Sequence, residues 1–158
     1  MNLKLKQTLK YRRFIMSSFL DLTDERLEDA VEPKAVDDGE YTLKLVDWLT
    51  TDSGEVTRQN SSGNPYIMPI FEVIECEEAA FAKSISHYIP LLHEDMDKKE
   101  KNATLWKLKE FFEALGIDYT QRIDYEDLIG KTTDALLTVQ DDPDFGEQNR
   151  IKRFVTGR

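Results

Sequence analysis

Close to the C-terminus, the stretch Gly146-Glu147-Gln148-Asn149-Arg150-Ile151-Lys152-Arg153-Phe154-Val155 sets three cations into four residues of a chain whose net charge is -10. Ile151, Phe154 and Val155 favour a pleated strand, and the segment from Gly146 to Asn149 is turn-prone. Cations beside a ring on a strand suit the binding of a single nucleic-acid strand. Its phosphates track the cations and its bases stack on the rings, at ~1–3 kcal/mol per base. Lys44, Arg58 and Lys83 add candidate cations, and Trp48, Tyr66 and Tyr88 add candidate platforms. On an ideal strand Arg150, Lys152 and Phe154 share one face and Ile151, Arg153 and Val155 the other, a division that a bulge would change. By the same alternation Trp48 shares a face with Lys44, opposite Tyr41, Leu43 and Leu45. Each candidate also has an ordinary reading. Trp48 fits the edge of a core, and the cations fit a solvated face paired with the abundant acids.

Other chemistries find less support. His87 and His93 are the two histidines, and His93-Glu94-Asp95 has no recognised metal-ligand spacing. Asp141, Asp142 and Asp144 lack the twelve-residue calcium-loop pattern, and Pro143 interrupts them. There is no glycine-rich phosphate loop and no nucleophile paired with a base. The single cysteine, Cys76, excludes an intrachain disulfide framework and fits a reducing compartment. No cofactor and no catalysis are expected, although paired carboxylates of a metal-dependent nuclease stay open in so acidic a chain.

Charge restricts the binding reading further. Five of the 21 basic residues and none of the 31 acidic ones fall within residues 1–15, so the remainder sums to -15. A body of that charge repels phosphate in general, and a nucleic-acid site on it must be a local basic surface. The first fifteen residues, MNLKLKQTLKYRRFI, admit three readings: a basic arm that folds on nucleic acid, an amphipathic membrane-surface helix, or sequence upstream of a start at Met16. No apolar run approaches the ~20 residues that span a bilayer, and no membrane partner is expected.

The elements that must position these residues follow in order. Residues 1–38 read as a largely flexible extension, basic over 1–15 and acidic over 17–38, with a helical turn around Thr23 to Ala30 capped by Thr23. A domain over 39–158 then opens with the alternating strand Gly39–Trp48. The polar segment 50–64 reads as a mobile loop in which Arg58 is placed to close over a bound strand. Pro65–Glu75 is a second strand, with Pro69 marking an edge or a bulge. Phe81–Ile89 is a third. A helix over 103–115 follows, with Asn102 as N-cap, Gly116 as left-handed C-cap, and Trp106 and Phe111 directed to the core. Residues 124–129 form a short turn that packs Leu128 and Ile129. Strands from Thr132 and from Gly146 close the chain as a hairpin. This order predicts a mainly β fold with one helix: a five-stranded OB-fold-like Greek-key barrel, its helix between the third and fourth strands.

Five segments carry a resemblance: GEYTLKLVD in the first strand, GNPYIMPIFEVIE in the second, LKEFFEALGI in the helix, LIGK (Leu128–Lys131) before the fourth strand and FGEQNRIKRF in the last. In this order, over about Gly39 to Val155, the chain resembles a phage-encoded domain family of unassigned function related to phage OB-fold single-stranded-DNA-binding proteins. The resemblance implies non-sequence-specific single-stranded DNA binding in replication or recombination, in the cytoplasm of an infected host cell. Phage or host replication and recombination proteins would be further partners, and a homo-oligomer is compatible with it. Single-strand-binding proteins often end in an acidic recruiting tail. This chain ends Thr156-Gly157-Arg158, so recruitment of that kind would have to use the acidic segment 17–38. The rival reading is an acidic protein-interaction module that binds a replication or recombination protein.

Overall fold

The computed structural model describes residues 18–156. The chain divides into two units, Met1–Glu32 and Pro33–Arg158. The three readings of residues 1–15 lie outside the described residues. In the first unit the predicted helical turn is a single 3-10 turn, Leu27–Asp29, with no side-chain cap. Thr23 does not cap it: the cap position is Arg26, and the Thr23 N–H and hydroxyl both donate to Asp21 Oδ1, at 3.0 and 2.8 Å. Phe19, Leu20, Leu27 and Val31 are exposed along this acidic segment.

The second unit is mainly β with one helix. Its strands are β1 (Gly39–Trp48), β2 (Arg58–Gln59), β3 (Pro65–Ile67), β4 (Pro69–Ile74), β5 (Ile85–Ser86), β6 (Ile89–Pro90), β7 (Thr132–Asp142) and β8 (Gly146–Phe154). The helix α1 spans Lys98–Ala114. Five strands form one antiparallel sheet in the order β5-β4-β1-β7-β8, and β2-β3-β6 form a small second sheet. The large sheet curls until its edge strands β5 and β8 lie close together. None of the described helices is long and apolar enough to cross a membrane.

The helix follows the sixth strand, where the sequence predicted the third. Two expected strands are each broken in two, and the loop contributes β2. The first break falls at Met68-Pro69: residues before it pair with β2 and β6, and residues after it pair with β1 and β5. Proline has no N–H for a ladder, so Pro69 marks the point where the strand changes sheets. The predicted strand Phe81–Ile89 shrinks to β5 and β6. Its first residue, Phe81, ends a 3-10 turn, Glu77–Phe81, and the segment then meets Lys34 through Lys34 N–H to Phe81 O and Lys83 N–H to Lys34 O, at 2.9 and 3.0 Å.

These bonds also explain why the compact unit starts at Pro33 rather than Gly39. Val36 is buried, and its backbone pairs with the Asn149 side chain as it would with another strand. Val36 N–H donates to Asn149 Oδ1 at 2.8 Å, and Asn149 Nδ2 donates back to Val36 O at 2.8 Å and to Thr138 O at 3.3 Å.

The helix begins earlier than predicted. Asp97, not Asn102, is its cap, accepting from Glu100 N–H at 2.8 Å. Its C-terminus is the expected glycine stop. Gly116 has φ +69°, its N–H donates to Glu113 O, and Ile117 N–H reaches Phe112 O at 2.9 Å. This pair of bonds satisfies carbonyls that would otherwise be orphaned. Phe111 is buried against Phe71 and Trp48, whereas Trp106 is 58 % exposed on the opposite side of the helix, contrary to its predicted core position. Of the 124–129 turn, Leu128 is buried and Ile129 is exposed. The core is Leu43, Leu45, Ile67, Phe71, Val73, Ile85, Phe111, Leu128 and Leu137 with their neighbours.

Candidate nucleic-acid interface

The 50–64 segment is built from turns and a short strand. Thr51 N–H donates to Glu55 O, Gly54 N–H to Thr51 O, and Glu55 N–H to Thr51 Oγ1. Asn60 organises the next turn: its Oδ1 accepts from the N–H groups of Ser62 and Asn64, both at 3.0 Å. Between the turns β2 pairs with β3, which sets Arg58 directly opposite Tyr66. Arg58 is held there, with Nε donating to the Tyr66 hydroxyl at 3.0 Å and Nη1 to Thr50 O. It is therefore a fixed wall of the site rather than a closing arm.

Pairing of β3 with β6 brings Tyr88 onto Tyr66. The two rings stack with centroids 4.6 Å apart and planes at 27°. Asn60 Nδ2 donates to the Tyr88 hydroxyl at 3.2 Å, and Tyr88 is 45 % exposed. Offset stacking of aromatic faces is favourable in its own right. It also leaves an outer ring on which a further flat group can continue the stack. Arg58 and Tyr66, on neighbouring strands, thus form one cluster with Tyr88 from farther along the chain.

Tyr88 is also the near wall of a cleft of about 180 Å³, lined by His87, Tyr88, Ile89, Lys107, Glu110, Ile151, Lys152, Arg153 and Phe154. β6 and its flank, α1 and β8 supply these walls. Lys152, Arg153 and Phe154 were expected at a binding face, and Lys107 and Glu110 were not. Lys107 is one of five lysines set against one glutamate between residues 98 and 109, a density that the sequence alone displays.

The remaining candidates are placed elsewhere. Trp48 is buried (4 % exposed), with Nε1 donating to Tyr125 O at 3.0 Å and its ring against Phe111 and Tyr125. The cause is a bulge in β1 between Leu45 and Asp47, which shifts the alternation and turns Trp48 to the core face beside Leu45. It has no free face for a base. Lys83 is committed to the closing hairpin, with Nζ donating to Phe145 O and Glu147 O at 3.1 and 2.8 Å. Lys44 lies on the outer face of the sheet, directly opposite Glu72 and Thr132.

A second bulge, between Leu136 and Leu137, redivides β8. Arg150 faces Thr138 and Arg153 faces Leu136 on the outer side, while Ile151 and Phe154 turn inward opposite Leu137 and Ala135. Phe154 packs on Phe71 and Phe111 and meets the His87 ring edge-on at 5.4 Å. The expected common face of Arg150, Lys152 and Phe154 is therefore divided. Lys152 and Phe154 rejoin only as walls of the cleft.

Burial, aided by the neighbouring Lys107 charge, pushes the His87 imidazole down to about 4 from its usual 6.5. The ring is neutral at pH 7. As pH falls, the unfolded chain takes up this proton near 6.5 and the folded chain only near 4, so stability present above pH 6.5 is lost between those values. Between pH 7.5 and pH 5 the wild-type protein should lose about 2 kcal/mol more than His87→Gln. Urea denaturation of both at the two pH values measures the difference, and equal losses would refute the assignment.

Among the described residues no group of three or more His, Cys, Asp or Glu side chains is arranged to hold a metal ion. A scan against family models finds no match for this chain, and no curated protein matches it.

Proposed function

We propose that this protein binds single-stranded DNA without sequence preference, on the surface formed by Arg58, Tyr66, Tyr88 and the adjoining basic cleft. The observation that carries the proposal is the Tyr66–Tyr88 stack, half-buried at Tyr66 and exposed at Tyr88, with a fixed arginine on one side and Lys152 and Arg153 on the other. Rings take bases of any identity and cations take the backbone, which is the requirement for sequence-tolerant binding. Their confinement to one locality answers the objection raised by an acidic body.

The reading also treats the sheet as an OB-type barrel. In it β3 and β4 are the two halves of the second strand and β5 and β6 the two halves of the third, so α1 falls between the third and fourth. Pairing of β1 with both β4 and β7, and the approach of β5 to β8, support that correspondence. The platform then lies on the second and third strands and on the loop after the first. A role in phage replication or recombination, inside an infected host cell, rests on the resemblance of the five sequence segments.

A protein-interaction role draws on a different surface, the exposed Phe19, Leu20, Leu27 and Val31 set among acids. It does not need the aromatic stack. Titration of oligo-dT beside duplex DNA of equal length, at two salt concentrations, separates the two readings.

A further inference from the structure

We infer that the cleft between α1 and β8 is a binding site for internal phosphodiesters of the bound strand, and that Lys107 on α1 is one of its contacts. The inference rests on the single-strand reading and extends the DNA surface from the sheets onto the helix. Three cations line the cleft from two elements far apart in the chain: Lys107, Lys152 and, from the outer side of β8, Arg153. In a protein of net charge -10 such a grouping is not a background property of the surface. Lys107 is exposed, and none of the hydrogen bonds or ion pairs found among the described side chains commits it, in contrast to Lys83. Tyr88 belongs both to the ring stack and to the cleft wall, so a base continuing the stack carries its own phosphate toward these cations. Phe154, Ile151 and Ile89 give the cleft apolar walls suited to the sugar. Glu110 is the acidic residue among the lining side chains and opposes a phosphate there.

Glu110 makes the inference testable by a gain as well as a loss. Wild-type protein, Lys107→Gln, Glu110→Gln and Lys98→Gln would each be titrated with a fluorescent oligo-dT over a salt series. Lys98 lies in the first turn of the same helix and outside the cleft lining, so it controls for the change in overall charge. Lys107→Gln should weaken binding about fivefold and reduce the salt slope by ~0.7, the value for one lost phosphate contact on a single strand. Glu110→Gln should tighten binding by a few fold, an effect that destabilisation cannot mimic, and Lys98→Gln should change neither quantity by as much. The Lys107 effect should be the same on oligonucleotides with and without a 5′-phosphate. Wild-type binding with Lys107→Gln and Lys98→Gln indistinguishable, or without tightening by Glu110→Gln, would overturn the cleft assignment and leave the single-strand reading standing. Dependence of the Lys107 effect on the 5′-phosphate would overturn the internal-phosphodiester assignment in favour of an end-binding site. Failure of the wild-type protein to bind would instead remove the reading on which the inference rests.

Discussion

Tyr88→Ala should weaken oligo-dT binding by roughly 5- to 150-fold, the loss of one stacked base at ~1–3 kcal/mol. Tyr66→Ala should do at least as much, because it removes the ring beneath Tyr88 and the hydroxyl that accepts from Arg58. Tyr88→Phe separates the ring from its hydroxyl. It keeps the stacking surface, gives up one hydrogen bond from Asn60, and should retain most of the affinity. Tyr88 is substantially exposed, so its truncation should leave thermal unfolding nearly unchanged. Anisotropy titrations at one fixed salt concentration measure all three variants. If Tyr88→Ala binds as tightly as the wild type, the stacked pair is not the platform.

Asn149→Ala should destabilise the fold by about 2–6 kcal/mol, a large part of the ~5–15 kcal/mol that holds a typical domain together. The side chain is buried and acts as a substitute strand edge for Val36, accepting from its N–H and donating to its carbonyl. Its removal strands both backbone groups inside the protein, at ~1–3 kcal/mol each. Asn149→Asp should be no better, since it keeps the acceptor and sets a carboxylate oxygen against the Val36 carbonyl. Equilibrium denaturation by urea reads these costs directly. A loss under 1 kcal/mol for Asn149→Ala would mean that the segment from Pro33 to Asp38 contributes little to the domain.

What the sequence disclosed depended on how far a simple period held. Strand β1 from Gly39 to Leu45, the glycine stop of α1 and the existence of the closing hairpin, though not its faces, follow local rules. Alternation failed at bulges, where one extra residue exchanges the two faces. The bulge after Leu45 turned Trp48 from platform to core, and the one beside Leu136 separated Phe154 from Arg150. Neither carries a glycine or proline to announce it.

Pro69 did announce its break, but not that the two halves would join different sheets. The cap of α1 went to Asp97 rather than Asn102, two residue types of similar capping strength. At the site, the residue types of Arg58, Tyr66, Tyr88, Lys152 and Arg153 were readable as binding chemistry. Their assembly was not, because it follows from the long-range pairing of β3 with β6 and the docking of α1. Lys107 was invisible for the same reason, as one lysine among several on a helix until the fold lays a cleft beside it.

The most direct test of single-strand binding is an anisotropy titration of a fluorescent oligo-dT of about 30 nucleotides, several footprints of ~4–16 nucleotides each. It would be run beside duplex DNA at low and moderate salt, with chains spanning 1–158 and 16–158. The structure of the site predicts salt-sensitive binding by both chains and a clear preference for the single strand. Binding by the longer chain alone would move the activity to the basic residues 1–15. Absence of binding by either chain at low salt, where phosphate contacts are strongest, would contradict a DNA-binding role and favour the protein-interaction reading.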